Sequence, residues 1–221
     1  LIIGLAGSYC AGKNHVAAIL STRGLPVLDV DKLGHVCLEN QKAAVFARFG
    51  DEVKAPDGSV NRKALGAKVF GNKTEMAALE AIVHPEANRM TMEWVTAFSG
   101  TAEGGTSTGG KTCVVNAALL HKSAVFDKLD CIILVRAPWL VRLVRARGRD
   151  KLPWIDLLRR LSSQKQFTSQ YLAGNADIYI VENPGIGKPV SSQRSDHGKP
   201  TRENGLEQRI DEILAKLKPE T

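Results

Sequence analysis

Leu1-Ile2-Ile3-Gly4-Leu5-Ala6-Gly7-Ser8-Tyr9-Cys10-Ala11-Gly12-Lys13-Asn14 runs from an apolar, strand-like segment into a glycine-spaced turn, and Val16, Ala17, Ile19 and Leu20 follow at helical spacing. Gly7 through Lys13 spell a phosphate-binding loop, closed by asparagine where the usual pattern has serine or threonine. Glycines let backbone N–H groups turn inward around phosphate oxygens, and the positive end of the next helix faces the same anion. On this reading Gly7, Ser8, Cys10, Ala11, Gly12, Lys13, Asn14 and His15 cradle the phosphates of a nucleotide, and Lys13 reaches the terminal ones. Gly24 supplies the helix stop. The alternative, a strand-to-helix turn that binds nothing, leaves Lys13 after two spaced glycines unexplained.

Gly105-Thr106-Ser107-Thr108-Gly109-Gly110-Lys111-Thr112 fits the same pattern letter for letter. Its surroundings are wrong for the job. Met90 to Phe98 before it has a helical pattern, and Cys113 to Leu120 after it is an apolar, β-branched run that predicts a strand. Without a helix N-terminus aimed at the loop, most of an anion site is missing. Residues 100 to 112 are therefore expected to be a flexible Gly/Ser/Thr connection.

The net charge of +7 becomes informative once located. Nine basic residues (Arg136, Arg142, Arg145, Arg147, Arg149, Lys151, Arg159, Arg160, Lys165) face two acidic ones between positions 136 and 165, which accounts for the entire surplus. Arg142, Arg145 and Arg149 share one face of a helix drawn through them. Guanidinium groups so arranged suit phosphate oxygens; a solvated basic surface helix is the competing reading. With only 5% aromatic residues and no interleaving of aromatic with basic positions, the stretch lacks the stacking platforms of a nucleic-acid binder. No apolar run reaches the length of a membrane span. Cys10, Cys37, Cys113 and Cys131 have no paired or metal-ligand spacing, so reduced thiols and a cytoplasmic location are expected.

Strand-like runs at 1 to 6, 26 to 30, 113 to 118, 131 to 136 and 178 to 181 alternate with helical patterns, which predicts an α/β fold with a parallel sheet. No strand is expected from 32 to 99. Helical patterns there, at 41 to 49, 62 to 70, 75 to 83 and 85 to 98, predict an inserted helical subdomain. Leu206, Ile210, Ile213, Leu214 and Leu217 predict a C-terminal helix packed on the core. The Pro/Gly/Ser-rich stretch near 184 to 204 predicts a mobile surface insertion. The resulting division is core at 1 to 31, helical insertion and connection at 32 to 110, core at 111 to 137, lid at 138 to 163 and core again at 164 to 221.

Val27-Leu28-Asp29-Val30-Asp31 places two carboxylates at the carboxyl end of the second strand, the edge where open α/β sheets bind ligands. A carboxylate there fits a general base for a substrate hydroxyl, a holder of Mg²⁺ through water, or both; the alternative for either aspartate is a helix N-cap for the segment that follows.

The chain resembles the dephospho-CoA kinases, a family of P-loop small-molecule kinases. The likeness rests on Gly7 to Lys13, Val27 to Asp31, Asp57 to Leu65 leading to Val69-Phe70, Ile82-Val83-His84-Pro85, Leu119-Leu120, Arg145, Arg149, Gln164 and Ala176-Asp177-Ile178. The resemblance implies the P-loop nucleoside triphosphate hydrolase fold with a five-stranded parallel sheet, a helical acceptor-binding insertion and an arginine-bearing lid. It implies transfer of the γ-phosphoryl group of ATP to the 3′-hydroxyl of dephospho-CoA, giving coenzyme A and ADP, with Mg²⁺. It implies Lys13, Asp31 and Arg145 as catalytic residues, Arg149 as a further phosphate contact, and Arg62 and His84 beside Asp31 on the acceptor. For His84 a packing role before Pro85 is the alternative, and for Arg62 a local pair with Asp57.

Two places depart from the family's pattern. Asn14 stands where a hydroxyl residue normally touches magnesium, so its amide oxygen is the expected contact, directly or through water. Asn116-Ala117-Ala118-Leu119-Leu120-His121-Lys122 replaces an acidic residue, a proline and a glutamate. The rival readings are a kinase for another small acceptor, such as a nucleoside monophosphate, and a weakly active nucleotide-binding protein. The oligomeric state is not encoded in any of these features.

Overall fold

The computed structural model describes residues 1–99, 112–150, 152–162, 167, 171, 176–185 and 202–217, without the side chains of 99 and 202–204. The glycine-rich match at 105 to 111, Gln164, and most of the 184 to 204 stretch lie outside the described residues.

Strand β1 (Ile2–Gly7) is buried from Ile3 onward, as a central strand of a parallel sheet must be when both faces are covered. It pairs in parallel with β3 (Cys113–Asn116) on one side and β4 (Cys131–Arg136) on the other; β2 (Val27–Asp29) and β5 (Asp177–Glu182) complete the order β2-β3-β1-β4-β5. All five expected strands are present. The second ends earlier than its apolar run, because Asp29 caps a helix and Val30 already belongs to it. Since every strand points the same way, Gly7, Asp29, Asn116, Arg136 and Glu182 end at one edge of the sheet, with β1 leaving between neighbours that belong to opposite halves of the topology.

On one face lie α1 (Lys13–Thr22) and the C-terminal α8 (Arg202–Leu217), with Val16, Leu20, Ile210 and Ile213 against Ile3, Leu5, Ile133 and Val135. The other face gathers Ala6, Val115, Ile132, Leu134, Leu120, Phe167 and Tyr171. Between β2 and β3 the chain forms α2 (Val30–Asn40), α3 (Lys42–Phe49), α4 (Arg62–Val69) and α5 (Lys73–Ser99), with Val45, Phe49, Val53, Val60, Leu65 and Val69 as a separate small core. Among the described residues of this interval, only an isolated bridge between Lys54 and Val60 is β-like.

The helical patterns at 75 to 83 and 85 to 98 are a single helix, α5, which continues through Pro85. Proline removes one N–H from the ladder and argues for a break. Here α5 packs on α2, α3 and α4 and also on β3, and tertiary contact outweighs the lost bond. The expected lid is a pair of helices, α6 (Trp139–Asp150) and α7 (Trp154–Ser162).

Candidate active site

The loop between β1 and α1 turns at two left-handed positions, Cys10 (φ 59°) and Gly12 (φ 96°). Gly12 is the N-cap of α1 and offers no side chain to its first-turn N–H groups, of which His15 N donates to Gly12 O at 3.0 Å. A Cβ at Gly12 would collide with the Asn183 amide nitrogen and at Gly7 would crowd Lys13 and Val135, which explains both glycines on packing grounds as well. Burial pushes the Cys10 thiol above its usual value despite three nearby arginines, so Cys10 is neutral filler.

Lys13 Nζ donates to Asp31 Oδ2 at 2.8 Å. The other oxygen, Oδ1, accepts from the backbone N–H of Ala118 at 3.1 Å, just past β3. Asp31 is therefore fixed at both oxygens, in the first turn of α2, while Asp29 caps that helix by accepting from Lys32 N at 3.2 Å. The N-cap expected at Asp29 is present. From Asp31 a cavity of about 240 Å³ extends between core and insertion, lined also by Val83, His84, Asn88, Leu119, Lys122 and Ser123.

His84 thus joins Asp31 at one cavity. Arg62 does not: it opens α4, is exposed and is not among the residues lining that cavity. Nor is it paired with Asp57, whose carboxylate accepts from Ser59 N and Oγ at 3.0 and 2.6 Å.

The basic face of α6 lies on the phosphate loop. Arg142 Nε donates to Tyr9 O at 2.8 Å, and Arg145 Nη1 donates to Ala11 O at 3.1 Å and Cys10 O at 3.4 Å. Arg145 Nη2 reaches Asn183 Oδ1 at 3.1 Å and the Gly185 carbonyl. The Arg149 guanidinium sits 5.0 Å from the centre of the Tyr9 ring. Burial draws the Arg142 and Arg145 pKa values down, though a guanidinium remains charged. Arginines that share one helix face in the sequence share one target in the structure.

Asn14 and Asn116, the two departures nearest the loop, touch each other: Asn116 Nδ2 donates to Asn14 Oδ1 at 3.4 Å. Asn116 is 1% exposed, and its Oδ1 is buried without a hydrogen-bond partner. Lys122, where the family's pattern has a glutamate, pairs with Glu80 of α5 at 3.5 Å and lines the cavity.

Several site groups escaped the sequence reading. Arg142 was visible as part of the basic face but carried no assigned role. Tyr9 occupies a variable position of the loop pattern. Asn183, whose Nδ2 donates to Ala11 O at 3.0 Å, follows the last strand, and the Ala118 N–H is a backbone group. None of these last three has a motif that could have announced it.

The family model described as dephospho-CoA kinase matches residues 1–187. The chain belongs to the dephospho-CoA kinase family. A dephospho-CoA kinase of Anaeromyxobacter dehalogenans is 37% identical over 195 residues, spanning 87% of this chain and 88% of the relative. Among solved structures, a Thermus thermophilus protein superposes with a TM-score of 0.72 at 28% identity, covering 99% and 98% of the two chains. A dephospho-CoA kinase from Campylobacter jejuni, at a TM-score of 0.61 and 20% identity over 97% and 96%, shares the fold. The architecture is that of the P-loop kinases, and a dephospho-CoA kinase of this kind is an ATP-dependent transferase.

Proposed function

We infer that this chain transfers the γ-phosphoryl group of ATP to the 3′-hydroxyl of dephospho-CoA, with the phosphates held at Gly7 to His15 and the acceptor in the cavity beside Asp31. The observation that carries the assignment of sites is the Lys13–Asp31 contact, which joins the phosphate loop to the mouth of that cavity. Phosphoryl transfer asks a protein for position and charge more than for covalent chemistry. Lys13 and the first-turn amides of α1 meet the phosphates, and Asp31, steadied by Ala118 N–H, orients the attacking hydroxyl and takes its proton. Arg145 and Arg149 add positive charge from α6. In this reading helices α2 to α5 form the acceptor subdomain, residues 138–163 the lid, and His84 lines the acceptor's path.

Magnesium fits the residues present. The unpartnered Asn116 Oδ1 and the Asn14 amide oxygen are two neutral oxygen donors beside the loop, suited to an ion that takes most of its ligands from nucleotide phosphates and water. Such an ion neutralises charge on the phosphates. The four free thiols, three of them buried, support a reducing, cytoplasmic setting. Among the described residues no helix is long and apolar enough to cross a membrane. The contacts of Arg142, Arg145 and Arg149 with the loop support a role for this face of the basic stretch beside nucleotide phosphates.

The test is ADP release with dephospho-CoA, AMP, CMP and shikimate as acceptors. Turnover confined to dephospho-CoA is the expected result, and a preference for any of the others would overturn the acceptor assignment.

A further inference from the structure

Tyr9 is bound to the lid helix at three points. Its carbonyl accepts from Arg142 Nε at 2.8 Å, its ring lies beneath the Arg149 guanidinium at 5.0 Å, and its hydroxyl donates to Asp150 Oδ2. Asp150 closes the figure by accepting from Arg149 Nε at 2.7 Å and Nη2 at 3.2 Å, and Arg160 of α7 approaches the same carboxylate at 3.7 Å. The Arg149 side chain is nevertheless 60% exposed, so the ring and the carboxylate fix its plane while leaving it accessible from solvent.

We propose that Tyr9 is a positioning residue for nucleotide binding, holding Arg149, with Asp150, in the orientation that meets the phosphates of ATP. A flat guanidinium on an aromatic face with its edge paired to a carboxylate has little rotational freedom left to lose. That lowers the entropic cost of its next contact, the general advantage of a preorganised binding group. The loop pattern leaves position 9 free, so the function belongs to this side chain and not to the phosphate-binding turn. The proposal rests on the phosphate-contacting role proposed for Arg149, but not on the identity of the acceptor.

Calorimetric titration with magnesium and ATP, without acceptor, tests it apart from dephospho-CoA turnover. Tyr9→Leu and Arg149→Met should each weaken ATP binding about tenfold, the double variant no more than the weaker single one, and Tyr9→Phe less than about threefold. Equal losses for Tyr9→Leu and Tyr9→Phe would overturn the role of the ring. Losses that add in the double variant would overturn the link to Arg149. Should Tyr9→Leu fail to fold, Arg149→Lys, which keeps the charge but gives up the planar stack, should bind ATP as weakly as Arg149→Met; wild-type affinity would sink the proposal.

Discussion

Lys13 Nζ lies 2.8 Å from Asp31 Oδ2, with the lysine side chain 11% and the aspartate 48% exposed. The lysine belongs to the loop after β1 and the aspartate lines the cavity, so the contact joins the two halves of the proposed site. Asp31→Asn keeps an oxygen for the Ala118 N–H, so the variant should fold and bind ATP within a few-fold of wild type. Its turnover should fall by about 10² or more, the usual scale for losing a general base. Full turnover measured by ADP release would end that role for Asp31. Lys13→Met should instead lose ATP affinity, read by calorimetry.

The Asn14–Asn116 contact makes a second outcome specific. Asn116→Asp would put a carboxylate in a 1% exposed position beside Asn14. An unpaired buried charge is destabilising, whereas a bound divalent cation would offset it. The variant's melting temperature should drop without magnesium and ATP and recover when both are added, by more than wild type rises under the same additions. Asn14→Ala should raise the magnesium concentration for half-maximal turnover. A melting temperature for Asn116→Asp that responds no more than wild type would remove Asn116 from the metal's surroundings.

Gly12 and Gly24 separate two reasons for glycine. Both have positive φ, 96° and 81°, but a Cβ at Gly24 meets nothing within 4 Å, while at Gly12 it strikes Asn183 Nδ2. That nitrogen is not free to move, since it donates to Ala11 O and its amide oxygen accepts from Arg145. Gly24→Ala should cost about 1 kcal/mol from backbone strain and leave ATP binding intact. Gly12→Ala should cost more in urea unfolding and abolish ATP binding, because the loop and the Arg145 anchor shift together.

The sheet was readable because its strands are short β-branched runs with little polar interruption, and β4 spans the very residues 131 to 136 of its apolar run. Boundaries set by a single side chain were less so: the Asp29 cap shortens β2, and packing on several neighbours carries α5 through Pro85. In the proposed site, Gly7 to Asn14 and the arginine face are read from fixed spacing, whereas Asp31 is set apart from Asp29 partly by resemblance. His84 enters the proposed site through resemblance alone, and it lines the same cavity as Asp31. Tyr9, Asn183 and the Ala118 N–H act through tertiary approach to the loop and α2, which one-dimensional spacing does not encode. Arg62, drawn in by the same resemblance, is exposed at the start of α4 and does not line the cavity that Asp31 and His84 share.

His121 carries the last prediction. Its ring meets Tyr171 edge-on at 5.6 Å, its Nδ1 is buried without a hydrogen-bond partner, and burial, then the Lys122 charge, lowers its pKa from 6.5. The folded protein thus favours the neutral ring. Stability from this group is complete above pH 6.5 and is lost as pH falls from there toward the lower folded value, where the unfolded chain binds the proton first. Urea midpoints should therefore decline from pH 7.5 to 5.5. His121→Phe, which keeps an aromatic ring against Tyr171 but cannot be protonated, should flatten the decline. Tyr171 does not contribute in this window, since burial holds its hydroxyl up at about 12. A decline of the same slope in His121→Phe would assign the acid sensitivity to another group.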